Sequence, residues 1–107
     1  MAKYITFVRL TALGAKGLLK ESAAVREAAV RKAVEASGGK VEAIYWTNGK
    51  YNFVMISDGG AEAGALMIQL AVQAAGVADD FDTLPLFSSD AVDAAIGQAT
   101  SYRPPRV

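Results

Sequence analysis

Tyr45-Trp46-Thr47-Asn48-Gly49-Lys50-Tyr51-Asn52-Phe53 joins two strand-forming runs. Val41 to Thr47 and Lys50 to Ser57 are rich in β-branched and aromatic residues. Asn48-Gly49 between them supplies the positive backbone dihedrals of a tight type I′ turn. With a two-residue loop, Trp46 is expected opposite Tyr51 and Ile44 opposite Phe53. Glu42, Ile44, Trp46, Tyr51, Phe53 and Met55 then share one face, and Val41, Ala43, Tyr45, Asn52, Val54 and Ile56 share the other. Both faces are apolar, so both need cover, and a single helix layer covers only one.

Upstream, Tyr4 to Thr11 alternates as a strand, with Ile5, Phe7 and Arg9 on one face and Tyr4, Thr6, Val8 and Leu10 on the other. Ala12 to Ser22 holds two glycines and two lysines and reads as a loop with room for one irregular helical turn. Its Gly14-Ala15-Lys16-Gly17 lacks the spacing and the Gly-Lys-Ser/Thr ending of a phosphate loop. Ser22 is a competent N-cap for a helix to Ser37, with Val25, Ala29, Ala33 and Ala36 as the expected buried stripe and Glu27, Arg31 and Glu35 opposite. Gly38-Gly39 stops it.

Downstream, Asp58-Gly59-Gly60 leads into a second Ala-rich helix, Ala61 to Ala75, with Leu66, Leu70 and Ala74 in line and Gly76 at its end. Phe81 to Phe87 reads as the last strand. Its Pro85 has no amide donor and points to a sheet edge. Asp79, Asp80 and Asp82 lack the glycine and terminal Glu of a calcium loop, so they read as charge protection of that edge, and no metal is expected. Ser89 caps a short helix from Asp90 to about Ala99, and Tyr102-Arg103-Pro104-Pro105-Arg106 cannot continue it.

The order strand, helix, hairpin, helix, strand gives an α+β, ferredoxin-like split βαβ fold (βαββαβ) with a four-stranded antiparallel sheet. With 107 residues, 52% of them hydrophobic, the chain suits one domain, residues 1–99, followed by a tail at 100–107. The second apolar sheet face predicts a homodimer, two sheets packed as a dimeric α/β barrel around a cavity.

Composition excludes much chemistry. There is no cysteine and no histidine, which removes disulfides, thiolate metal sites and the commonest general base. No run is long enough to span a bilayer and the N-terminus is unlike a signal peptide, so a cytoplasmic protein is expected. Net charge is zero, yet residues 1–50 carry nine Lys or Arg against four Glu, and residues 51–107 carry two Arg against seven acids. Such a split suits complementarity within or between subunits better than nucleic acid.

Leu10-Thr11, Gly14, Leu19-Lys20-Glu21-Ser22, Gly38-Gly39-Lys40-Val41, Tyr45-Trp46-Thr47, Gly49 and Tyr51-Asn52 together resemble the GYD domain, from about Ala2 to Ile96. The signature Gly-x-Tyr-Asp falls on Gly49, Lys50, Tyr51 and Asn52, with Asn in place of Asp. The resemblance implies a dimeric α/β barrel and carries no activity or cofactor with it. Asn52 does not ionise near neutral pH, so base chemistry at that position is not expected.

Candidate ligand-binding residues are Arg9, Tyr45, Trp46, Gly49, Tyr51, Asn52 and Phe53. The aromatic rings offer contact area, while Arg9 and Asn52 offer polar anchors for a small, partly apolar molecule. A second reading is an enzyme, because similar barrels include cofactor-independent monooxygenases and lactone isomerases. Its base would have to be Glu42, a tyrosine or the substrate itself. An RNA-binding reading ranks last, since Tyr51 replaces the glycine that the aromatic strand motif requires.

Overall fold

The computed structural model describes residues 2–60, 62–99 and 101–106. The elements are β1 (Lys3–Leu10), α1 (Ala12–Lys20), α2 (Ala23–Ala36), β2 (Gly39–Trp46), β3 (Phe53–Gly59), α3 (Glu62–Ala74), β4 (Ala78–Leu86) and α4 (Ser89–Ala99). The sheet order is β2-β3-β1-β4 with every pair antiparallel. This is the ferredoxin-like arrangement that the element order predicts. Pro85 lies on β4, an edge strand, where its missing amide costs no ladder bond.

Register fixes the two faces. Thr6 lies opposite Met55 and Thr83, and Val8 opposite Phe53 and Phe81. Trp46 pairs with Phe53 and Ile44 with Met55. These residues face α2 and α3, where Val8, Val34, Val41, Phe53, Met55 and Ala78 form the buried core. Ile5, Phe7 and Arg9 face away, next to Val54, Ile56, Tyr45, Ala43 and Leu84. The alternation expected for β1 is therefore observed.

The hairpin departs from its sequence reading. Trp46 sits opposite Phe53 rather than Tyr51, and the connection runs through residues 47–52 rather than two residues. Neither Asn48 nor Gly49 adopts a positive φ, so the type I′ turn is absent. Asn52 accounts for the longer loop: its N–H donates to Val8 O at 2.9 Å, its carbonyl accepts from Thr47 N–H at 2.9 Å, and Oδ1 accepts from Leu10 N–H at 2.9 Å. Three bonds to the end of β1 and to β2 outweigh one tight turn. Consequently Tyr51 lies on the face away from the helices, not with Trp46 and Phe53. A bulge between Val41 and Ala43 also turns Val41 into the core and leaves Glu42 to meet Lys3 at 2.7 Å.

The helices differ from expectation in extent and phase. Residues 12–20, read as a loop, form α1, capped by Thr11, whose Oγ1 accepts from Gly14 N–H at 3.2 Å. Gly14 lets α1 lie against the chain before β4, since a Cβ there would stand 2.1 Å from Val77 O. Ser22 caps α2 as expected. However, the inward stripe of α2 is Glu27, Val30, Arg31 and Val34, while Val25, Ala29, Ala33 and Ala36 are exposed. Alanines on the predicted stripe bury little area. Val30 and Val34 bury more, while Glu27 takes the indole N–H of Trp46 at 3.0 Å and Arg31 donates to Val41 O. In α3, Ile68 and Val72 turn inward, whereas Leu66 and Leu70, expected in the core, are each 56% exposed. Ser88 rather than Ser89 caps α4, accepting from Ala91 N–H at 3.2 Å.

Candidate functional site

Because α2 lies over the β2 side of the sheet and α3 over β4, the helices leave a cleft between them. It encloses about 740 Å³. Its floor is Thr6, Val8, Phe53, Met55 and Thr83, its walls carry Val30, Val34, Ile68 and Val72, and Trp46 and Phe81 also line it. The Trp46 and Phe53 rings meet edge to face, centroids 5.2 Å apart. Polar groups are few. Thr6 and Thr83 place their hydroxyls 3.2 Å apart on the floor, and Glu21 and Arg26 form a bidentate pair with contacts of 2.8 to 3.1 Å.

The seven residues singled out in the sequence fall in four places. Trp46 and Phe53 line the cleft. Arg9, Tyr45 and Tyr51 belong to the opposite sheet face, with Arg9 3.8 Å from Asp79. Asn52 joins Trp46, Leu10 and Leu18 around a shallower cleft of about 520 Å³ beside α1, and Gly49 lies in the loop with open space around it. The larger cleft thus lies on the helix side of the sheet, away from the face expected to meet a partner. Thr6 and Thr83 escaped the sequence reading. Thr6 was the one small polar residue on the Tyr4, Val8, Leu10 face, but its match with Thr83 depends on the β1–β4 register.

On the open face Tyr51 rests against Phe7, centroids 5.3 Å apart, and its phenol donates to Asp82 at 2.5 Å. That hydrogen bond, then desolvation and the charge of Asp80, push the Tyr51 pKa from 10.0 up to about 12. The folded value lies above the unfolded one, so this contribution to stability is fully present below pH 10 and is lost as pH rises through about 12. In a phenolate absorbance titration, the difference between the native chain and Tyr51→Phe should have its midpoint near 12. Asp82→Asn should bring that midpoint down. An unchanged midpoint in Asp82→Asn would remove Asp82 as the cause. Lys3 is likewise raised above 10.5, first by its hydrogen bond to Glu42 and then by that carboxylate's charge.

Asn52 supports the end of β1. Replacing it by Leu leaves the Leu10 N–H without its acceptor and should cost about 2 kcal/mol. Asn52→Asp keeps a carboxylate oxygen at Oδ1 and should match the native denaturation midpoint within about 0.5 kcal/mol. Equal losses for both substitutions in urea unfolding would contradict this role.

Among the described residues, no group of His, Cys, Asp or Glu is placed to hold a metal, and no helix is long and apolar enough to cross a membrane. Asp79, Asp80 and Asp82 instead meet Arg9, Lys50 and Tyr51 respectively. No curated protein and no solved structure matches the chain. The family model of the GYD domain matches residues 4–96, which takes in β2, β3 and β4, all of β1 but Lys3, and both clefts, and the chain belongs to the GYD domain family.

Proposed function

We propose that this chain is a binding protein for a small, largely apolar ligand held in the cleft between the sheet and α2 and α3, and that it works as a homodimer paired through the open sheet face. The observation that carries the ligand reading is the cleft itself. About 740 Å³ lies within the range of small-molecule sites, and apolar side chains dominate its lining. The dimer reading is supported by the other face, where Ile5, Phe7, Val54, Ile56 and Leu84 form a continuous apolar surface and Tyr45 is 65% exposed. A radius of gyration of 17.0 Å, against about 13 Å for a compact domain of this length, and an α4 exposed throughout also suit a chain completed by a second copy.

Acid–base catalysis has less support. Glu42 is neutralised by Lys3, the Tyr51 proton is held by Asp82, and Asn52 spends its side-chain oxygen Oδ1 on the Leu10 N–H. The neutral apolar fluorophore N-phenyl-1-naphthylamine should brighten saturably with the native chain and lose that signal in Val72→Trp, which fills the cleft. Absence of saturable binding by the native chain would sink the ligand reading. Native mass spectrometry should show a dimer or a multiple of it, and a monomer at micromolar concentration would sink the pairing.

A further inference from the structure

The hydroxyls of Tyr4, Ser37, Ser57, Thr6 and Thr83 line the larger cleft, and of these residues Thr6 is the buried one. Thr6 is 3% exposed, and its hydroxyl faces that of Thr83 across 3.2 Å, both lining the cleft. Two hydroxyls so paired use one hydrogen between them. The second O–H hydrogen has no acceptor among the contacts of either side chain, and it stands at the cleft surface. Thr83 is exposed, so water can meet that hydrogen, and a ligand that displaces the water loses affinity unless it accepts the hydrogen in its place. The charged groups of the lining do not alter this. Glu21 and Arg26 neutralise one another through their bidentate contact, so the cleft offers no net charge to an ionic ligand.

We infer that the cleft selects an uncharged, largely apolar molecule bearing one carbonyl oxygen, such as a medium-chain ketone, aldehyde or ester, with that oxygen accepting from the Thr6–Thr83 hydroxyl pair. This rests on the ligand reading above and narrows its chemistry. The hydrocarbon part lies along Val8, Phe53, Ile68 and Val72, where burial favours it, and the carbonyl takes the hydrogen left over by the Thr6–Thr83 pair. An alkane leaves that donor unmet. A carboxylate brings a charge into an apolar space whose single cation is already paired.

The test uses 2-nonanone, n-nonane and nonanoate as competitors against N-phenyl-1-naphthylamine, with the native chain and with Thr6→Val/Thr83→Val, which keeps shape but removes both hydroxyls. The double substitution should weaken 2-nonanone about tenfold, the equivalent of about 1.4 kcal/mol, and leave n-nonane unchanged. Nonanoate should compete more weakly than 2-nonanone with the native chain. Equal loss for ketone and alkane, no loss for either, or nonanoate as the best competitor overturns the inference while the ligand reading stands. Failure of the native chain to bind the fluorophore overturns both. If the double variant does not fold, the infrared carbonyl stretch of 2-nonanone bound to the native chain decides. A stretch below its value in hexane supports the hydrogen bond, and the hexane value overturns it.

Discussion

Phe53→Ala should lower stability by about 3 kcal/mol and move the single tryptophan's emission to longer wavelength. Phe53 is 6% exposed, and it is the cross-strand partner of both Val8 and Trp46. Removing its ring deletes the edge-to-face contact at 5.2 Å that holds the indole against the sheet. Loss of a buried Phe costs about 3 to 5 kcal/mol, the upper part of which is the free energy of an empty cavity. Here the space opens into a cleft already in reach of solvent, so the lower end of that range is expected. Against a typical total of about 5 to 15 kcal/mol, such a loss lowers Tm by more than 10 °C, on the basis of about 4 to 8 °C per kcal/mol. Phe53→Leu should recover most of it. A native Tm for Phe53→Ala, followed by calorimetry and Trp46 fluorescence, would mean that Phe53 does not anchor this core.

That same residue shows where sequence reading succeeded and where it stopped. The two-sided alternation of β1 was legible because Ile5 and Phe7 oppose Val8 and Leu10 with no ambiguity of period, and a strand has only two phases. Pairing of Trp46 with Phe53 was not. Asn48-Gly49 is a strong local turn signal, but the decisive bonds run from Asn52 to Val8 and Leu10, more than forty residues away in the chain. Helix phase failed for a different reason. In α2, alanines fall on every side, and an alanine carries so little apolar area that its position does not decide which side is buried. Val30 and Val34 decide it, with Glu27 and Arg31 beside them because their polar ends reach Trp46 and the Val41 carbonyl. The candidate site inherited the first of these errors, since all seven of its residues lie on strands or in the loop at 47–52. Trp46 and Phe53 were found because large aromatic residues on a strand are conspicuous, and Tyr51 was grouped with them only through the assumed turn. Thr6 and Thr83 form a site only once β1 and β4 are paired in register.

Gly14→Ala should destabilise the chain by about 3 kcal/mol, although alanine is the better helix former. The new methyl would stand 2.1 Å from Val77 O and 3.0 Å from Val77 C, both backbone atoms that no side-chain rotation can move aside. Either α1 or the segment before β4 must therefore shift. That shift strains two bonds joining them, Thr11 N–H to Val77 O at 3.1 Å and Thr11 Oγ1 to Gly76 O at 2.5 Å. Overpacking costs about 1 to 3 kcal/mol and each weakened bond about 1, while exchanging Gly for Ala within a helix returns about 1. The loss wins. Gly17 lies in the same helix, and a methyl group added there would meet nothing within 4 Å, so Gly17→Ala keeps only the propensity gain and should stabilise by about 1 kcal/mol. Urea unfolding of the two variants should move their midpoints in opposite directions from the native chain. If both rise together, α1 does not rest on Val77, and the Gly14–Val77 contact that lines the larger cleft is absent.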